Sequence, residues 1–407
     1  MALLVKKWGG TSLATPELFS RAADRVIAAK KAGHDVVVVL SAMGKETDRL
    51  QGLADEITKR PSKREMDVLL SAGERVSMAL MSIVLDNRGF PAKSYTGSQV
   101  PIVTSSLHTK AQIEEIGTER LKFDLDNGII PVVAGFQGID RKKNITTLGR
   151  GGSDTTAVAL AASLRADECD IYTDVDGVFT TDPRVVPKAR LLPRLTFEEM
   201  LEMSSLGSRV LQIRSVKLAA KYNLPIRVLS SFNDGVGTLI SYEEDKVEAE
   251  EVTGIAFTRD EAEVAIHGAP DQPGIAHKLL QPISDAGIEI DMIVQNSSLA
   301  NGRVDFGFTV QRADFEKAME LVSQSTQDMG VKAINGDDSV VKISLVGLGM
   351  RSQSGVATKM FQALASEGIN IRMVSTSEIK VSVLVDEKYL ELGVRTLHEA
   401  FDLERNP

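Results

Sequence analysis

Three stretches in the first half of the chain combine glycine with charge, the combination that a bound phosphate calls for. Lys7-Trp8-Gly9-Gly10-Thr11-Ser12 follows a short apolar run. Glycines after a strand let backbone N–H groups approach phosphate oxygens, and a lysine adds a point charge where negative charge builds. Alone, such a glycine pair reads equally as a turn. Thr146-Thr147-Leu148-Gly149-Arg150-Gly151-Gly152-Ser153-Asp154-Thr155-Thr156 runs into a helical pattern at Ala157. A glycine-rich loop feeding a helix N-terminus is an anion cradle, and Arg150 offers a fork suited to a carboxylate. Asp154, near that start, would also serve simply as an N-terminal charge. The third stretch, Tyr172-Thr173-Asp174-Val175-Asp176-Gly177-Val178-Phe179-Thr180-Thr181-Asp182-Pro183-Arg184, is a long polar loop after a buried strand, where α/β proteins place ligands. Its Asp182-Pro183 pair also fits an ordinary turn.

Several other chemistries fail on spacing. A P-loop needs G-x-x-x-x-G-K-[ST], but Gly44-Lys45 is followed by Glu46 and lacks the upstream glycine. Gly347-Leu348-Gly349 stops short of a dinucleotide fingerprint, with Ser352 at the third position. Ser153 has no G-x-S-x-G elbow around it. The single cysteine, Cys169, sits in an apolar run and reads as inert core. One cysteine and five scattered histidines speak against a disulfide framework and against a zinc or His-based metal site.

The elements that must position these loops alternate. Leu3–Lys7, the continuous apolar run Asp35–Ala42, Ile129–Gly135, Glu168–Tyr172 and Leu224–Leu229 read as strands. Between them lie helical patterns: one with Thr15 as cap, Pro16 first and Gly33 just past the end, and Ala157–Leu164, which reads as amphipathic. This predicts an α/β domain with a mostly parallel sheet between helices. Glu243–Glu251 then holds six acids and one lysine, a linker or solvated edge. Beyond it the chain repeats itself. Pro273–Lys278 is echoed by Ser354–Lys359, and Gly287–Met292 by Gly368–Met373, both at an offset of 81 residues. Each copy reads as strand, glycine-opened helix, glycine-closed turn and further strands (Val304–Val310; Ser377–Val385), a βαββαβ module.

At 407 residues the chain has room for two or three domains of about 150 residues. Hydrophobic residues make up 43% but aromatics only 5%, so the core must be aliphatic. A net charge of −9 argues against nucleic acid or an anionic membrane as the main partner. No stretch is expected to reach the roughly 18 apolar residues of a membrane span, and the N-terminus lacks the pattern of a secretory signal. The expectation is a cytoplasmic protein.

Taken together, KWGGTS at 7–12, SAGE at 71–74, TTLGRGGSDTTA at 146–157 and YTDVDGVFTTDPR at 172–184 resemble the amino-acid kinase fold, and within it the aspartate kinases. The paired C-terminal modules resemble the two ACT domains of their monofunctional, feedback-regulated members. Kinases of uridylate, carbamate or glutamate share only the glycine arrangement. The resemblance implies transfer of the ATP γ-phosphoryl group, with Mg²⁺, to the side-chain carboxylate of L-aspartate. A carboxylate is already ionised at neutral pH, so catalysis reduces to holding two anions in line and neutralising the transferring group. By the same resemblance Lys7 and Asp154 are catalytic, and Gly9, Gly10, Ser41, Thr173, Asp174, Phe179, Asp182, Arg184 and Arg209 hold the nucleotide. Arg150 takes the substrate's α-carboxylate, Asp154 and Glu74 make the acidic contacts, and Thr47, Gly151, Gly152 and Ser153 complete the pocket. From spacing alone, Glu74 could equally be a helix-surface acid. Three positions depart from the family pattern: Trp8 and Phe179 stand for other aromatics, and Arg209 for a nucleotide-binding lysine.

The implied regulators are threonine and lysine, held near paired modules by Asp271, Gly274, Ala276, Asp291, Gln295, Asn370, Ile371, Ser377 and Glu378. In the second copy Ser352 and Ser354 replace Asp271 and Pro273, so the two modules are not expected to bind alike. The expected division is a kinase domain over 1–242, a linker over 243–253 and ACT domains over 254–335 and 336–407, with strands interleaving between the last two and ACT pairing closing a homo-oligomer. The rivals are a non-catalytic amino-acid sensor and a kinase for another substrate.

Overall fold

The computed structural model describes residues 1–207, 210–242, 252–296, 302–348, 350 and 355–405. Arg209, the run 243–251, Gly349, Ser352 and Ser354 lie outside the described residues.

The first unit carries β1 (Leu3–Trp8), α1 (Pro16–Lys31), β2 (Asp35–Leu40), α2 (Glu46–Ile57), α3 (Lys63–Leu70), α4 (Ala72–Asn87), β3 (Ala92–Tyr95), β4 (Ile102–Thr104), β5 (Ile113–Ile116), α5 (Glu119–Asp126), β6 (Ile130–Ala134), β7 (Gln137–Asp140), β8 (Ile145–Thr147), α6 (Gly152–Leu164), β9 (Glu168–Thr173), β10 (Arg194–Thr196), α7 (Phe197–Ser205), α8 (Ile213–Lys221), β11 (Ile226–Ser230) and β12 (Thr238–Ser241). Eight strands form one sheet in the order β10-β12-β11-β9-β1-β2-β6-β3. From β11 to β3 every pairing is parallel. A four-stranded sheet, β5-β4-β7-β8, stands apart.

The apolar runs become strands because both faces of this sheet are covered. On one face Trp8, Val36, Val38 and Leu40 pack with Phe19, Val26 and Met81 from α1 and α4. On the other lies α6, packed against β1, β9 and α8. That position corrects the amphipathic reading of Ala157–Leu164: the residues of α6 are buried almost all round, because a helix covered on both sides has no solvent face. Helix α1 begins with Pro16 in its first turn, and Thr15 is extended before it but makes no side-chain capping bond. Gly33, at φ = +86°, takes the left-handed turn that ends it.

Lys63–Asn87, spanning α3 and α4, is long and apolar enough to cross a membrane by length and composition, which corrects the expectation that no stretch would be. Half of its apolar window is buried inside the protein, the use a core helix makes of such a sequence.

The second unit comprises Thr180–Arg190, Leu206–Ser208 and Glu248–Pro407, so two short segments expected in the kinase domain group with it instead. It carries β13 (Gly254–Pro270), α9 (Ile275–Asp285), β14 (Ile290–Gln295), β15 (Arg303–Val310), α10 (Phe315–Ser325), β16 (Ala333–Val346), α11 (Val356–Ser366), β17 (Met373–Thr376), β18 (Lys380–Asp386) and α12 (Leu390–Ala400). Its sheet, β14-β15-β13-β16-β18-β17, is antiparallel throughout. The helices α9 and α11 are 81 residues apart at both ends, whereas α10 and α12 are 75 apart. The second copy is shorter between its second and third strands, where β18 starts at Lys380 and not, as expected, at Ser377.

Two cores result. One joins Val264, Ile266, Leu279, Phe306, Phe308 and Val322. The other joins Val341, Ile343, Met360, Leu364, Val383 and Leu397, and it takes in Val252 and Ile255. The start of β13 pairs with the end of β16 (Gly254 with Val346), while its later part pairs with the start of β16 (His267 with Ala333). The chain thus enters the second module before building the first.

Candidate active site

Parallel strands end on one edge of the sheet, and their backbones are tied there loop to loop. Gly9 N–H donates to Tyr172 O at 3.2 Å, Ser41 N–H to Trp8 O at 3.1 Å, Gly135 N–H to Leu40 O at 2.9 Å and Ser231 N–H to Thr173 O at 2.8 Å. The Lys7-to-Ser12, Ser41-to-Glu46 and Thr173-to-Asp176 segments all start from this edge, the ligand edge of an α/β sheet. Of the two glycine amides expected to face an anion, that of Gly9 is already engaged in this ladder.

Lys7, the penultimate residue of β1, is 7% exposed. Its Nζ lies 2.5 Å from Asp154 Oδ1 in the first turn of α6, an ion-pair contact without hydrogen-bond geometry. Two residues that the sequence read separately are therefore one unit. Gly10 sits where a Cβ would come within 2.8 Å of both Ala42 O and Gly44 O, so no other residue fits without moving backbone.

Glu74 is not a surface acid. It is 3% exposed, and its Oε1 accepts the Ala42 N–H at 3.2 Å. Among the described residues its Oε2 has no hydrogen-bond partner. Burial pushes its carboxyl up to about 7. A carboxylate buried with no cation beside it among the described residues is a poised receptor for one. Ser41 and Thr47 are half-buried nearby in the chain.

The glycine loop leaves Arg150 exposed at its tip. Gly149 and Gly151 flank it in left-handed conformations, at φ = +76° and +65°. Gly152 N–H closes the turn on Gly149 O at 2.9 Å, and Ser153 packs where a Cβ on Gly135 would stand, at 2.8 Å.

In the third loop Thr173 Oγ1 donates to Asp174 Oδ1 at 3.2 Å, and Phe179 forms an isolated bridge to Leu191. Asp182 and Arg184 belong to the second unit and bind each other. The Arg184 guanidinium donates to Asp182 at 2.6 Å and holds that carboxyl below its ordinary value.

The expected effector residues lie in the second unit. Asp271 and Gln295 are exposed, Ala276 is half-buried, and Gly274 opens α9 at φ = +89°. Asn370 and Ile371 precede β17, and Ser377 and Glu378 sit in the turn between β17 and β18. Asp291 is already engaged: it pairs with Lys342, whose buried ammonium also contacts Glu261 at 2.7 Å.

Sequence reading missed several groups. Ser231 donates to Ser12 Oγ at 2.6 Å, and Lys6 is buried against Asp170. Asp67, wholly buried on α3, collects His108, Thr109 and Thr147. Their only signal was polarity inside otherwise apolar or loop segments.

Comparison with known proteins accounts for the arrangement. The amino acid kinase family matches residues 2–230, and the ACT domain matches 264–325 and 343–401. The aspartokinase of Pseudomonas aeruginosa is 58% identical over 406 residues, covering 99% of this chain and 98% of that protein. The crystal structure of E. coli aspartokinase III with aspartate and ADP, in its R-state, superimposes with a TM-score of 0.81 at 25% identity, covering 98% of this chain and 99% of that one. The same enzyme with lysine and aspartate, in its T-state, gives a TM-score of 0.76 over the same shares at 25% identity. The chain belongs to the amino acid kinase family, as a kinase domain followed by ACT domains. Within that family it is one of the aspartokinases, a phosphotransferase.

Proposed function

We propose that this chain is a cytoplasmic enzyme that transfers the γ-phosphoryl group of ATP to the side-chain carboxylate of L-aspartate, giving 4-phospho-L-aspartate and ADP, at the entry to lysine, threonine and methionine synthesis. The observation that carries the reading is the buried Lys7–Asp154 pair beside Gly9-Gly10. In the reaction an oxygen of the substrate carboxylate forms the new bond to phosphorus while the bond to the ADP oxygen breaks. Lys7 balances the charge spread over the transferring group, and Asp154 holds that ammonium in place. Gly10 allows close approach of the phosphates, and Ser41, Thr173, Asp174, Phe179 and Arg209 are assigned to the nucleotide.

Aspartate presents an α-carboxylate and an ammonium besides its nucleophile. Arg150 is assigned the first. Glu74 is assigned the second, since its lone buried carboxyl gains the cation it lacks. Thr47, Gly151, Gly152 and Ser153 line the remainder. Among the described residues no group of three or more His, Cys, Asp or Glu side chains converges. Mg²⁺ would be carried on the nucleotide phosphates and water, where it would neutralise phosphate charge.

The ACT modules are assigned to feedback inhibition by threonine, lysine or both, in a homo-oligomer paired through these modules. The lysine complex of the E. coli relative supports an amino-acid effector. The test is ATP- and Mg²⁺-dependent phosphorylation of L-aspartate, with the acyl phosphate trapped by hydroxylamine, with and without threonine plus lysine. Turnover that falls on adding the effectors supports both halves. Turnover indifferent to them removes these regulators and keeps the kinase. No turnover at saturating substrates overturns the assignment in favour of a sensor.

A further inference from the structure

Asp67 is 0% exposed, yet among the described residues the ionisable group its side chain meets is His108, whose Nδ1 lies 2.6 Å from Oδ2. Its other bonds come from the Thr109 N–H at 3.0 Å and the Thr147 hydroxyl at 2.6 Å. A buried carboxylate costs free energy that only such bonds offset, and all of these reach two short segments, 108–109 and 147. Both segments run to the glycine loop. Thr147 ends β8, two residues before Gly149. Thr109 is a non-glycine residue held at φ = +68°, a conformation that persists only where its surroundings impose it. Its carbonyl oxygen stands 2.9 Å from where a Cβ on Gly149 would lie. The two segments are also joined by Ala111 N–H to Thr147 O at 2.9 Å. Arg214 bridges them too, donating to Leu148 O at 2.6 Å and to Ala111 O at 3.1 Å. Arg150 is the next residue along, on the turn closed by Gly152 and Gly149.

We propose that Asp67 is a positioning residue for aspartate recognition: it fixes Thr109 and Thr147, they fix the Gly149 turn, and the turn aims Arg150. The proposal rests on the assignment of Arg150 to the substrate's α-carboxylate. None of these residues is among those assigned to the nucleotide, so the expected effect falls first on aspartate.

The test is steady-state kinetics of the full-length enzyme with Asp67→Asn, Arg150→Ala and the double variant. Asp67→Asn keeps the shape but replaces one accepting oxygen by an NH2 group, so it cannot accept at both positions. It is expected to raise KM for aspartate about tenfold, a modest misplacement of a binding group, with KM for ATP within about twofold. Arg150→Ala is expected to raise the same KM. In that background Asp67→Asn should add nothing, because the two act in series. Parallel rises in both KM values, or a lower melting temperature with aspartate KM unchanged, would overturn the proposal and leave Asp67 a structural residue. If Arg150→Ala leaves aspartate KM unchanged, the Arg150 assignment fails; if it raises KM and Asp67→Asn does not, only the present proposal fails. Should Asp67→Asn not fold, Thr147→Val, which removes one bond at constant shape, decides by a smaller rise in aspartate KM alone.

Discussion

Two neighbouring lysines on β1 meet very different surroundings. Lys6 and Lys7 are both buried, and each pairs with an aspartate. Because side chains alternate along a strand, they point to opposite faces of the sheet. Lys6 joins the α1–α4 face with Trp8. There it meets Asp170, directly across on β9, and the Tyr172 hydroxyl at 3.3 Å. Trp8 stacks on the Tyr172 ring with centroids 4.5 Å apart, and Arg25 lies 5.2 Å from that ring. Burial works against the Lys6 ammonium, but Asp170 and Tyr172 outweigh it and hold the group above its ordinary value. Burial likewise pushes the Asp170 carboxyl up, against the pull of Lys6. Lys7 faces α6, one residue from the strand end, with two glycines opening the chain beyond it. Burial and pairing are thus common to a structural pair and a site pair. What separates them is position at the sheet edge and the missing side chains next door.

The largest expected effect tests that distinction directly. Lys7→Ala should lower kcat by at least about 100-fold, the loss seen when one preorganised charge-stabilising donor is removed, while the fold persists by circular dichroism. An active Lys7→Ala enzyme would break the comparison, because the edge position would then carry no chemistry.

Glu74 sharpens the same comparison from the acid side. Among the described residues Asp170 is buried with a cation and Glu74 without one, so substrate ammonium should matter only at Glu74. The carboxyl must be ionised to attract it, and it ionises at about 7. Apparent affinity for aspartate should therefore rise with pH up to about 7, by about tenfold per unit below it, and Glu74→Gln should flatten that limb. Stability moves the other way. Folding raises this group from 4.5 to about 7, so the native state holds the proton more tightly. Wild type should lose stability relative to Glu74→Gln as pH climbs between those values. A pH-independent KM would remove Glu74 from the substrate site.

The legible parts of the molecule were those fixed by local chemistry. Apolar runs gave β1, β2, β6, β9 and β11 to within one or two residues at each end, because a strand covered on both faces is built mostly from apolar residues. The glycine loops were legible because positive φ at Gly149, Gly151 and Gly274 excludes most other residues. The rest depended on partners distant in sequence. Lys6 gives no sign of Asp170, which is 164 residues away, nor Asp67 of Thr147, 80 away. The repeat was visible at its first helix, but the pairing of Gly254 with Val346 was not, since a strand's residues do not name the neighbour they will hydrogen-bond. Glu74 shows the limit most clearly: one acid in a helix reads the same exposed or buried until its surroundings are known.

The smallest expected effect on turnover belongs to Lys6. Lys6→Met keeps length and apolar volume but strands Asp170 in the core. Breaking a buried pair from one side costs about 3–5 kcal/mol, whereas replacing both partners with apolar groups is often neutral. Lys6→Met should therefore lower the urea midpoint strongly, and Lys6→Met with Asp170→Leu should recover most of the loss. Both variants, assayed well below their unfolding transitions, should keep kcat within about threefold of wild type, since Lys6 points to the face of the sheet opposite Lys7. A kcat loss in Lys6→Met comparable to that of Lys7→Ala, undiminished in the double variant, would mean that the far face of the sheet takes part in phosphoryl transfer and that strand alternation does not divide the two lysines' roles.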